Sequence, residues 1–294
     1  MSSFRVTHLG LLHGLLRDMQ AGLRGVEEAQ SILSTGRRVR RVSDDPSAGA
    51  GILQAAHRLR AVEQYRRNVS MAVAHLASEE SALTQLDELL ARAREIAIQQ
   101  ANSTTTSASH ASAKEEVLRL IESVSDLGNT QVAGGYIFGG ATPDVPPFSA
   151  PGVLTGGNTP TRSVEVSPGQ FLRLNSNATE VFVDTGVLAA LDQLVAALDS
   201  GEPAAIAAAA GAIADAAGAL QGRIADVGGR VLRLDAVKAN LDTLDMNLRL
   251  HRSNLEDADF EEALTALVGR QSALQATLLA ASRMLSFNLT DYLR

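Results

Sequence analysis

The side chains able to carry chemistry in this sequence are few and scattered. Six histidines stand at positions 8, 13, 57, 75, 110 and 251. A zinc site on one helix face needs two of them four residues apart. No pair has that spacing, so each reads as an isolated surface or packing residue. Asp44 and Asp45 offer two carboxylates, but adjacent positions diverge. Capping explains Asp45 better, since Pro46 follows it and suits the first position of a helix. The run Gly134-Gly135-Tyr136-Ile137-Phe138-Gly139-Gly140 matches the first half of a phosphate loop. Gly140-Ala141 stands where the needed Lys and Ser/Thr would be, so a tight turn is the better account. There is no Cys, which excludes disulfides and thiolate metal sites. No nucleophile–base constellation stands out. The chain reads as a non-enzyme, with no cofactor and no metal.

What the sequence does carry is long apolar stripes. Leu9, Leu12, Leu16, Met19, Leu23, Val26, Gln30 and Leu33 repeat at alternating steps of three and four. Phe260, Leu264, Leu267, Gln271, Leu274, Leu278, Ala281, Leu285, Asn288 and Tyr292 do the same at the other end. Each set is a heptad seam on one face of a helix. Neither helix can bury its own stripe, so the two ends are expected to act as assembly surfaces. Four glycines, at 10, 14, 22 and 25, lie inside the first helix. At about 1 kcal/mol each against Ala, they predict a helix that orders only when packed.

Between the ends the pattern predicts further helices. One starts near Ser47 after the Asp45-Pro46 cap and runs to about 102, with Leu59, Val62, Val69, Val73, Leu76, Leu83, Leu86, Leu90 and Ala93 on its stripe. Another covers 110–127. A helix over 187–198 precedes a long one from near Pro203 to about 254, striped by Leu234, Val237, Leu241, Leu244 and Leu248. Gly36 is placed to stop the first helix. Arg37 to Arg41 then form either a solvated loop or a docking surface for acidic neighbours. Prolines crowd 143–160, and alternation follows at Val164 and Val166, at Phe171, Leu172 and Leu174, and at Val181 to Val183. That predicts hairpin strands. The expected organisation is an N-terminal assembly helix (1–40), the first half of a helical rod (41–140), a small separable β domain (141–186), the second half of the rod (187–254) and a C-terminal assembly helix (255–294). The fold class is mainly α: long antiparallel coiled-coil-like helices from both chain ends forming a rod, with a small β insertion.

Composition limits the partners. At 294 residues, 45% hydrophobic and 3% aromatic, the chain has enough Ala and Leu for a helical core. Aromatic platforms for single strands are improbable. A net charge of −7 argues against nucleic acid. No secretory leader is expected from residues 1–10. No membrane insertion is expected either, since Asp215 interrupts the Ala-rich run from Ala204 to Leu220.

Several motifs carry a family resemblance. Leu33-Ser34-Thr35-Gly36-Arg37 with Ser43-Asp44-Asp45-Pro46 resembles the N-terminal signature of the bacterial flagellin-like family. The segment 92–102, with Arg94 and Glu95, resembles a helix of that family, and Leu255 to Phe260 resembles the joint before its last helix. Ser-Asp-Asp-Pro, and Tyr136 and Phe138 within Gly135 to Gly140, are similar to the hook-associated, hook–filament junction branch. The close at Asn288 to Tyr292 departs from flagellin's usual leucine-rich ending. The resemblance implies a structural flagellar component that self-assembles into a tubular junction between hook-associated protein 1 and flagellin. It implies an export chaperone as a partner and export to the extracellular flagellum without a cleaved signal peptide. The other readings are flagellin itself, the filament subunit, or an unrelated coiled-coil scaffold.

Overall fold

The computed structural model describes residues 8–101, 106–132 and 134–292, with side chains described at position 10 and, outside the gaps, from 13 to 283. Three quarters of the described residues are helical. The helices are α1 (His8–Thr35), α2 (Pro46–Gln100), α3 (Ser107–Gly128), α4 (Val187–Ser200), α5 (Pro203–Glu256) and α6 (Phe260–Tyr292). Between α3 and α4 lie three antiparallel two-stranded ribbons, β1–β2 (Gln131–Val132, Gly135–Tyr136), β3–β4 (Phe148–Ala150, Val153–Leu154) and β5–β6 (Ser163–Ser167, Gln170–Arg173). Long helices from both ends around a small strand region are the fold class read from the sequence. The chain divides into two compact units, residues 1–60 with 245–294, and residues 61–244.

In the 61–244 unit the stripe expected on α2 is the core. Leu76, Leu83, Leu90 and Ala93 have no exposure, and Val62, Val69 and Leu86 are buried with them, while Val73 is half-buried. On α5, Leu234, Val237 and Leu241 are buried and Leu244 is exposed. The Ala-rich start of α5 is, by length and composition, apolar enough to cross a membrane. It buries one face, through Ile206, Ala209, Ile213, Ala216 and Leu220, at near-helical spacing. That is what a core-facing helix does. α3 begins one turn earlier than the apolar pattern suggests, because Thr106 caps it by accepting the Ser109 N–H.

The strand region differs from expectation in two ways. Val181 to Val183 belong to a π-helical turn, Thr179–Val183, and not to a strand. The Thr185 hydroxyl closes that turn by donating to the Val181 carbonyl at 2.5 Å. Burial of both Val181 and Phe182 breaks the in–out alternation a half-buried strand would need. Second, residues 141–186 pack against the helices in one unit with them. Phe138, Phe148 and Phe182 form two edge-to-face pairs, with centroids 5.4 and 5.0 Å apart. Phe148 sits against the end of α3, where the Asn129 side chain accepts its N–H at 2.9 Å and donates to its carbonyl at 3.0 Å. From α2, buried Glu79 accepts the Ser176 N–H at 3.2 Å, and Asn68 donates to the Glu165 carbonyl at 2.7 Å. Burial pushes the Glu79 carboxyl upward, offset by Ser176 and by the nearby Arg230 guanidinium.

Gly128 is the close-approach point of this core. A β-carbon there would fall inside the Phe148 ring and press on Phe182. Gly128→Ala is expected to destabilise the protein by about 1–3 kcal/mol through overpacking, although Ala is the better helix former. Denaturant unfolding of the two proteins checks the sign.

Candidate assembly interface

The terminal helices meet within the first unit. Gly22 faces Leu274, Gly25 faces Arg270, and Arg37 bridges to Asp257, so α1 and α6 run antiparallel. Along α1 the less exposed side is Leu15, Met19, Gly22, Val26, Ala29 and Leu33. On α6 the half-buried or buried positions are Ala263, Leu267, Leu274, Thr277 and Ala281, and Arg270 lies among them. Both sets keep the four-three rhythm but share only alternate members with the seams read from the sequence. Met19, Leu267 and Leu274 face inward. Leu16 (53% exposed), Leu23 (50%), Phe260 (64%), Leu264 (43%) and Leu278 (43%) face outward. The side chains of Leu9, Leu12 and Leu285 lie outside the described residues.

The glycines account for the rotation. With no side chain at 22 and 25, Leu274 and the Arg270 stem lie directly on the α1 backbone. The Arg270 guanidinium donates to the Gly25 carbonyl at 2.7 Å and pairs with Glu28 at 3.0 Å. Small residues let helices approach closely, and that contact outweighs their propensity cost. Expected only to weaken α1, two of its glycines are where α6 docks. The signal was available as Gly22 and Gly25, three apart on one helix face.

Below this pair, Gly36 takes a positive φ of 66° and ends α1. The chain then lies against the end of α5. Arg38 and Val39 donate their N–H groups to the Glu256 carbonyl at 2.8 and 3.2 Å, and Ala258 donates to the Gly36 carbonyl at 2.9 Å. Arg37 pairs with the Glu256 carboxylate at 2.8 Å, and Arg38 donates to the Leu255 carbonyl at 3.0 Å. Arg40 donates to the Ser31 hydroxyl. These arginines are thus occupied inside the chain rather than presented to acidic neighbours. Leu255 lies over Gly51 of α2, close enough that a β-carbon there would sit 2.8 Å from it.

Each residue of Ser43-Asp44-Asp45-Pro46 has a local task. Asp44 accepts the Arg40 and Arg41 N–H groups at 3.1 and 2.9 Å and holds the loop. Asp45 accepts from the N–H groups of Ser47 and Ala48 at 3.1 and 3.0 Å and caps α2, with Pro46 at its first position. Ser43 donates to Asp44 at 3.5 Å. These bonds hold both carboxyls below their ordinary value of 3.8: Asp44 chiefly through the Arg41 N–H, Asp45 chiefly through the Ala48 N–H. Depressed carboxyls stabilise above the unfolded value and lose that contribution as pH falls through the folded one. Acidification below about pH 4 is therefore expected to fray the first turn of α2 before the core. Amide exchange at Ser47 and Ala48, compared between native protein and Asp45→Ala, measures this. The other motif residues are structural too. Glu95 accepts from Arg92 at 2.6 Å, and Arg92 reaches Glu116 of α3 at 2.7 Å, while Arg94 is exposed. Tyr136 is half-buried in β2, and Phe138 is buried in the aromatic core.

Residues 7–142 match the bacterial flagellin N-terminal helical region. A flagellin of Halalkalibacterium halodurans is 30% identical over 115 residues, 39% of this chain and 42% of that protein. Flagellar hook-associated protein 3 of Escherichia coli is 29% identical over 138 residues, 44% of each chain. The matched region thus spans less than half the length of either relative. The solved structure of a putative flagellar hook-associated protein from Vibrio parahaemolyticus is 26% identical and superposes with a TM-score of 0.66 over 73% of this chain and all of that one. In its N-terminal match and in its fold, the chain is similar to the bacterial flagellins and hook-associated proteins.

Proposed function

We propose that this protein is a structural, non-catalytic subunit that joins the flagellar hook, through hook-associated protein 1, to the flagellin filament. The observation that supports it most is the row of outward apolar side chains on the terminal helices. Phe260, Leu264, Val268, Leu278 and Leu279 stay exposed after α1 and α6 have paired. An exposed row of this kind marks a protein–protein contact. Repeated head to tail by a screw operation, such a contact builds a tube. Residues 1–40 and 255–294 are the assembly helices in this reading, with residues 41–140 and 187–254 as the rod and 141–186 placed outermost. The subunit is exported to the extracellular flagellum with the help of a chaperone. A strain lacking the protein is expected to build hooks but shed flagellin into the medium. Purified protein that elongates into long filaments alone would assign the filament role instead.

A further inference from the structure

The 61–244 unit holds a cavity of about 370 Å³ that the assembly reading does not use. It is lined by Met71 and His75 of α2, by Pro143 and Asp144, and by Arg162 and Leu174, which flank the β5–β6 ribbon. His75 is only 7% exposed, yet its Nε2 has no hydrogen-bond partner among the described residues. The Arg162 Nε is likewise buried and unpartnered. Arg162 forms no ion pair among the described residues, although its backbone is fixed by the Asn175 side chain at 2.9 Å. Buried polar atoms of this kind are normally satisfied, and here both belong to residues that line one cavity.

We propose that this cavity binds a carboxylate carried on a short aliphatic stem, with its oxygens on the Arg162 guanidinium and the His75 imidazole. The guanidinium edge matches a carboxylate's two oxygens, which a single water cannot do. The apolar walls of Met71, Pro143 and Leu174 suit a stem of two or three methylenes. The volume admits a group of that size. Burial, then the Arg162 charge, hold the His75 imidazole below its usual value, partly offset by a bond to the Ile137 backbone. The charged groups nearest it are Arg162 and Asp144, with Glu79 one turn along α2 but turned to Ser176. The carboxylate can come from a free organic acid or from an acidic side chain of a second copy, which carries 33 Asp and Glu.

The test is imidazole NMR on the full chain at micromolar concentration. Added N-acetylglutamate or propionate is expected to shift the His75 resonance saturably, to raise its pKa, and to leave the other histidines unmoved. Arg162→Gln should weaken binding at least tenfold, and Asp144→Asn should strengthen it. Arg162→Lys, which keeps charge and stem, should retain a weaker shift and guards against misfolding of the Gln variant. If the His75 shift instead follows protein concentration with no added acid and is lost in Arg162→Gln, the carboxylate belongs to a second copy. No saturable shift under either condition, or the same shift in Arg162→Gln, would overturn the proposal and leave a water-filled cavity.

Discussion

Leu264→Asp and Leu278→Asp are expected to leave the melting of the isolated chain within about 0.5 kcal/mol of the parent, as surface changes do, and to abolish incorporation at the hook tip. Both leucines are 43% exposed on α6 after it pairs with α1. Each would contribute roughly 1.5–3 kcal/mol when buried against a neighbouring subunit. An Asp there reverses the sign, because a carboxylate taken from water without a partner is strongly unfavourable. In the proposed tube the penalty would recur in every copy. Leu274→Asp is the contrasting variant. Its side chain lies on Gly22, so it should loosen the helix pair in the free monomer as well. Amide exchange over residues 15–33 separates the two outcomes. If Leu278→Asp weakens the isolated chain as much as Leu274→Asp does, the outward row is not an assembly surface. Normal swimming by the Leu264 and Leu278 variants would also rule it out.

Phe182→Ala carries the largest stability loss expected in the 61–244 unit, about 3–5 kcal/mol. The ring is 1% exposed and stands edge-to-face with both Phe138 and Phe148. Each pair adds roughly 0.5–1.5 kcal/mol beyond its buried area. For a unit of this size the melting midpoint should fall by roughly 6–20 °C. Unchanged melting would mean that the residues between α3 and α4 form an appendage after all. Calorimetry on the full chain decides between these outcomes.

The helices were legible because their signals are periodic and local. Leu76, Leu83 and Leu90 mark the buried face of α2 at heptad spacing, and Asp45-Pro46, Gly36 and Pro203 punctuate the ends. The rotation of the terminal seam was not legible by counting leucines. Side-chain size suggests that Leu16 and Leu23 face the partner helix, but closeness of approach is decided by Gly22 and Gly25. The Val181 to Val183 run failed for a related reason. Three apolar residues in a row fit a strand or a buried turn, and only the Thr185 hydroxyl and the surrounding rings choose between them. The cavity beside His75 had no sequence signal at all. Its two polar groups are 87 residues apart in the chain (162 − 75) and meet only through the packing of the β5–β6 ribbon near α2.

The joint at Gly36 and Glu256 also bears on the order in which the protein is expected to fold. The bond from Arg38 to the Leu255 carbonyl closes a loop of 217 residues. Closing so long a loop in an otherwise unfolded chain costs about 5 kcal/mol in lost entropy. That cost falls steeply once residues 61–244 have folded, because the Arg66–Asp242 ion pair at 2.9 Å already brings the two ends of that unit together. The terminal helices are therefore expected to zip last and to open first, which amide exchange would show. A chain that must stay threadable until it reaches its site would keep its most adhesive surfaces unformed for longest, through connectivity alone.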